Sequence, residues 1–185
     1  GQLEDLAGVL QRKVDVVFDP AEQRELYLEL GQIRTELEDF ESAAEAYRAA
    51  LLLDESDTEI MEKLVGLYEV IEEYDELVDV LERLTGAVED SGELVRLNFQ
   101  IAQYSKVFLE DEERAIDAYR QVLEQEPGHT RALEELEELY EQRERWTNLR
   151  RVLVSRYEVA EQEGHTEAMV QRAVKLGDLA YEQFA

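Results

Sequence analysis

The strongest constraint on this chain is that it repeats itself. The segment DAYRQVLEQEPGHT at 117–130 restates EAYRAALLLDESDT at 45–58, 72 residues earlier. Three other stretches agree closely: LEDLAGVL from Leu3, YDELVDVL from Tyr74 and WTNLRRVL from Trp146, at steps of 71 and 72 residues. Another set, LGQI from Leu30, IAQY from Ile101 and LGDL from Leu176, falls between them. The long period halves. Phe40, Ala43, Tyr47 and Ala50 align with Tyr74, Leu77, Leu81 and Leu84 at a shift of 34 residues, and Ala115, Tyr119 and Val122 align with Leu149, Leu153 and Arg156 at the same shift. A unit of about 34 residues recurring in phase restricts the chain to stacked repeats, in which each unit buries its apolar faces against its neighbours.

Within a unit, apolar residues recur at spacings of three and four, as in Met61, Leu64, Tyr68 or Leu133, Leu136, Tyr140, so each unit reads as two amphipathic helices. Ten helices are expected, near 2–17, 21–37, 40–53, 57–71, 74–88, 93–109, 112–125, 129–143, 146–162 and 165–184. Pro20 in DPAEQ marks a start, and Pro127 with Gly128 in EPGHT marks a stop. The hydroxyls of Thr58, Thr130 and Thr166 are the expected caps of the helices that follow them. With only 2 Pro, the composition agrees. The expected fold class is all-α, a solenoid of antiparallel helix pairs forming one domain over 1–185. Its units fall near 1–23 (partial), 24–57, 58–91, 92–129, 130–163 and 164–185 (partial).

Charge and chemistry narrow the function. A net charge of −27 repels phosphate backbones and anionic lipid surfaces, so neither nucleic acid nor membrane is an expected partner. No apolar run is long enough to span a bilayer, and GQLEDLAGVL lacks the basic start of a signal peptide. The absence of Cys removes thiolate metal sites and Cys nucleophiles. His129 and His165 each stand in Gly-His-Thr before a helix, where turn chemistry explains them better than metal. The run EELEELYEQRE at 134–144 lacks an apolar pocket for acid–base work, and its i,i+4 spacing to Arg143 or Arg145 suits surface ion pairs. No phosphate loop, Ser/His/Asp set or HExxH is present. No catalysis, cofactor or metal is expected.

The unit resembles the tetratricopeptide repeat (TPR). Residues 24–57 carry Tyr27, Leu30-Gly31, Phe40, Ala43, Tyr47 and Ala50, with Glu55 at the last, proline, position. Residues 58–91 keep Leu64, Tyr68 and Tyr74 but hold Val65, Leu77, Leu81 and Leu84 where the family has small residues. The unit near 92–129 has Ile101-Ala102, Ala115, Tyr119 and Pro127 and one extra residue between its helices. Residues 130–163 have Leu136, Tyr140, Trp146, Leu149 and Leu153, with Arg156 replacing a small residue. The resemblance implies a right-handed superhelix with the first helix of each pair on its concave face. The first and last helices match half-units, so the chain reads as a fragment of a longer bacterial array. Leu3, Leu6 and Leu10, and Leu176, Leu179 and Phe184, would then leave apolar ends able to associate end to end.

By the same resemblance the groove positions are Leu28, Gln32, Thr35; Glu62, Gly66, Glu69; Phe99, Gln103, Lys106; Glu134, Glu138, Glu141; and Val174, Asp178, Tyr181. They lack the Lys, Arg and Asn clamp with which some TPRs grip a chaperone's C-terminal carboxylate, because Lys106 alone is not a clamp. Glutamates dominate instead, which suits a basic peptide or helix steered by Glu62, Glu69, Glu134, Glu138 and Glu141 with Phe99 and Tyr181 as apolar contacts. The alternative is that these glutamates are ordinary solvated helix residues. The expected function is a protein–protein interaction scaffold in a soluble, cytoplasmic setting. A spacer within a larger repeat protein, with no groove ligand, is the competing reading.

Overall fold

The computed structural model describes residues 1–183. The expected contact of Phe184 lies outside the described residues. Those residues form ten helices, and among them there is no strand. They are α1 (Gln2–Val14), α2 (Pro20–Glu36), α3 (Phe40–Leu53), α4 (Thr58–Val70), α5 (Tyr74–Ala87), α6 (Ser91–Val107), α7 (Glu112–Gln125), α8 (Thr130–Gln142), α9 (Trp146–Glu163) and α10 (Thr166–Gln183). Two compact units divide the chain, residues 1–87 with α1–α5 and residues 88–185 with α6–α10. Within each unit every helix packs on the next in sequence, the nearest-neighbour order of an α-solenoid.

The caps differ from expectation. Asp57 accepts the Ile60 amide at 3.0 Å and His129 Nδ1 accepts the Ala132 amide at 3.1 Å. Thr58 and Thr130 are thus the first helical residues, and Thr166 likewise opens α10. An acceptor must stand one residue outside the helix to reach the amide three residues on, and Asp57 and His129 hold that place. Asp19, Asp39, Asp90 and Asp111 cap α2, α3, α6 and α7 in the same way. Pro20 sits in the first turn of α2, where its missing amide costs nothing. Helix α1 stops at Val14 rather than near 17. Val17 turns inward against the α1/α2 core, and the Gln23 side-chain amide donates to its carbonyl at 2.7 Å.

The closest pairings are α2 with α3 and α6 with α7. Small residues make this approach possible. Ala43 and Ala50, and Ala102 and Ala115, are fully buried. A Cβ on Gly31 would lie 2.9 Å from three carbons of the Tyr47 ring. Helix α5 presents Leu77, Leu81 and Leu84 at the corresponding places, all buried, and packs less closely on α4. The bulk of these leucines holds the axes apart.

The turn inside each pair has a feature with no sequence signal. Glu38, Glu72, Glu110 and Glu144 all adopt left-handed backbone, with φ of 58°, 60°, 53° and 52°. That conformation lets the amide of the following residue reach back into the helix: Asp39 donates to Arg34 O at 2.9 Å, Glu73 to Tyr68 O at 3.0 Å and Arg145 to Tyr140 O at 2.8 Å. In the pair with one extra residue, Asp111 reaches back to Ser105 O at 2.9 Å.

Two substitutions test this packing in urea denaturation. Gly31→Ala gains helix propensity of about 1 kcal/mol but drives a methyl into the buried Tyr47 ring. A net loss of about 1–2 kcal/mol is expected. Glu38→Gly removes the left-handed strain of a side-chain-bearing residue, and a gain of about 1 kcal/mol is expected.

Candidate partner-binding site

In the first unit, α2 and α4 are the first helices of successive pairs and flank a cavity of about 490 Å³. Leu28 and Gln32 of α2, Tyr47 of α3 and Ile60 and Lys63 of α4 line it. Its geometry is held by Arg24, whose guanidinium donates to Asp57 and lies 3.8 Å from Asp54. Asp57 therefore ties α2 to α4 while capping α4. Burial opposes its charge, but the Ile60 amide and the Arg24 guanidinium outweigh burial and hold the carboxyl below its usual range. Of the expected groove residues here, Gln32 is exposed and donates to Glu36 at 3.2 Å, and Thr35 turns its hydroxyl onto the Gly31 carbonyl at 2.8 Å. Glu62 and Glu69 stand exposed on α4.

In the second unit the expected groove glutamates are engaged by the chain's own cations. Lys106 of α6 donates to Glu135 and to Glu138 of α8, at 2.8 Å each. Arg156 of α9 donates to Glu137 and, at 2.7 Å, to Glu134. Lys175 of α10 donates to Glu137 at 2.8 Å and to Glu141 at 2.6 Å. Helix α8 is thus clasped from three neighbouring helices, five carboxylates around three cations.

The centre of the clasp is Glu137, whose side chain is 12% exposed. Burial raises its pKa, yet hydrogen bonds from Lys175 and Arg156 prevail and hold it below the usual value. Glu138 is held low by Lys106. Burial lowers the pKa of Lys106 and of Lys175, but the paired carboxylates raise it further, so both stay above the usual lysine range.

Phe99 packs rather than stands free. Its ring meets Tyr119 edge-on with centroids 5.5 Å apart, lies 5.2 Å from the His129 ring and carries the Arg131 guanidinium 4.9 Å above it. Gln103 is half-buried on α6, and Asp178 and Tyr181 are exposed on α10. Val170, Val174 and Tyr181 make α10's outward side apolar, as Leu3, Leu6 and Val9 do for α1.

Three elements were missed in the sequence. Glu137 and Lys175 sit 38 residues apart, so no local spacing signals their pairing. Arg156 was visible only as a departure from the repeat. Arg143 and Arg145 do not pair within α8 as the i,i+4 spacing suggested. They reach Glu113 at the start of α7, with Arg143 Nη1 at 2.7 Å, because the turn after α8 carries them across to it. His129 is a helix cap, and His165 Nδ1 lies 3.1 Å from Glu163. Among the described residues no group of three His, Asp or Glu is placed to hold a metal ion, and no helix is long and apolar enough to cross a membrane.

These features define a class, the all-α repeat protein built from nearest-neighbour helix pairs. Residues 25–57 match the family model of the tetratricopeptide repeat. The chain is similar to the crystal structure of MamA, at 18% identity and a TM-score of 0.51, covering 88% of this chain and 91% of that one. YrrB, described as a TPR protein with an unusual peptide-binding site, is 16% identical with a TM-score of 0.45, covering 96% and 95%. PilF of Pseudomonas aeruginosa is 15% identical with a TM-score of 0.43, covering 100% and 87%. At these identities likeness speaks to fold alone, and of these three only the MamA match is close enough to carry it. No curated protein sequence matches the chain. The fold is TPR-like, and the repeat recognised in the sequence at 24–57 is a tetratricopeptide repeat.

The clasp generates a pH prediction. A carboxyl whose folded pKa lies below its unfolded value, ordinarily 4.5 for Glu, stabilises fully above that value and loses this contribution as pH falls through the folded pKa. At pH 7, Glu137→Gln should cost on the order of 2 kcal/mol, since Arg156 is left without its buried partner. The gap between the two proteins should close as pH falls below about 4.5. Urea midpoints measured across pH check both statements.

Proposed function

We propose that the chain is a protein–protein interaction scaffold that takes a partner peptide along its first-helix face, and that the cavity between α2 and α4 is where this face is open. The observation that carries the reading is that cavity, about 490 Å³ with an apolar floor of Leu28, Tyr47 and Ile60. A side chain of the peptide would enter it while the peptide backbone meets Gln32. The exposed carboxylates of Glu62 and Glu69 favour a basic peptide, and the surplus of carboxylates around α8 acts in the same sense. Near α8 the glutamates serve the fold first, so their substitution mixes lost stability with lost steering. Glu62 is the cleaner probe.

Affinity capture from the source cell, at low and high salt, tests this. Gln32→Trp, which fills the cavity from an exposed position, should abolish capture of the partner. Glu62→Gln should weaken capture several-fold at low salt and little at high salt. Capture that survives Gln32→Trp removes the cavity from the account. No saturable partner at either salt favours the spacer.

The exposed apolar sides of α1 and α10 support a further property, association between copies. Sedimentation at rising concentration should show reversible dimers that Leu6→Glu weakens. A strict monomer contradicts it.

A further inference from the structure

A second cavity, of about 320 Å³, lies on the opposite kind of face, between the second helices α7 and α9 with α8 beneath. Its floor is apolar, with Leu133, Leu136 and Val152 all buried. Its walls carry donors: Arg120 from α7, and Asn148, Arg151 and Ser155 from α9. One acid, Glu124, completes the rim.

This concentration of donors runs against the chain's character. At a net charge of −27, several cations elsewhere in this unit are drawn into carboxylates, as Lys106, Arg156 and Lys175 are. Arg151 has no carboxylate partner among the described residues. Arg120 meets only Asp117 in its own helix, at 3.2 Å, in an exposed pair that contributes little. Two guanidiniums, an amide and a hydroxyl around an apolar floor match a carboxylate held beside an apolar side chain.

We propose that this second-helix cavity is a docking site for an acidic–apolar peptide segment of a partner protein, with a Glu or Asp held by Arg120 and Arg151 and a neighbouring Leu, Ile or Phe on the floor. Because the acidic surface repels such a segment at long range, selectivity would come from the pocket and not from steering. The site is separate from the α2/α4 cavity, so the chain could hold a basic segment in one unit and an acidic one in the other.

A phage-displayed library of random dodecapeptides, panned on the whole chain, is the probe. The expected result is enrichment of peptides with Asp or Glu beside Leu, Ile or Phe. One such peptide, fluorescently labelled and followed by anisotropy, should lose at least about tenfold in affinity for the Arg120→Gln, Arg151→Gln double variant. Both arginines are exposed, and circular dichroism checks that the variant keeps its helices. Replacing the peptide's own acid by its amide should give the same loss without touching the protein, while Gln32→Trp should change nothing. Absence of acidic–apolar enrichment, or undiminished binding after either charge removal, overturns the proposal. Enrichment of basic peptides that Gln32→Trp abolishes would instead bear on the first-helix face alone.

Discussion

The close approach of α2 and α3 over Gly31 is the contact on which the rest of the first unit depends. The Tyr47 ring occupies the space that a Cβ would take, and this one exchange of a small residue for a large one sets the spacing of the pair. With the pair fixed, Tyr47 also becomes the floor of the α2/α4 cavity. Packing and site are therefore the same interaction viewed from two sides. Where the small residues are lost, as in α5, leucines fill the gap and the pair opens. A solenoid tolerates such variation because each pair answers only to its neighbours.

Electrostatics is the second constraint. A chain with 46 acidic and 19 basic residues cannot neutralise itself, but several of its cations each hold two carboxylates. In the second unit Lys106, Arg156 and Lys175 each bridge two carboxylates of α8, each from a different helix. Lys106, Arg156 and Lys175 thereby tie α6, α9 and α10 to α8. Arg24 does the same for α2 and α4 in the first unit. Repulsion among the remaining acids stays on the surface, where solvent and salt screen it.

The fold was largely legible in the sequence because small, aromatic and leucine positions recur at a fixed period, and period is a local signal. Most helix ends fell within two residues of expectation for the same reason. The caps differ because the acceptor must stand one residue before the helix: at α4 that residue is Asp57, as good a cap type as Thr58, and at α8 it is His129, which the usual cap residue types do not include. The left-handed glutamates left no trace, since Glu is not a residue that announces that conformation. Of the candidate site, the residues could be named from the repeat, but the ion pairs that hold them could not. Glu134, Glu138 and Glu141 look like free steering charges in sequence, yet their cations arrive from 22 to 34 residues away, through packing that no spacing rule encodes. Arg156 is the instructive case: a residue that breaks the repeat pattern compensates by becoming half of a buried ion pair.

The most direct test of the account is where a partner touches the first-helix face. A benzophenone amino acid at Gln32, and separately at Glu138, can be cross-linked in the source cell. The account predicts a discrete adduct from Gln32, beside the open cavity, and little or none from Glu138, which lies on α8 away from that cavity. A strong adduct from Glu138 with none from Gln32 would contradict it.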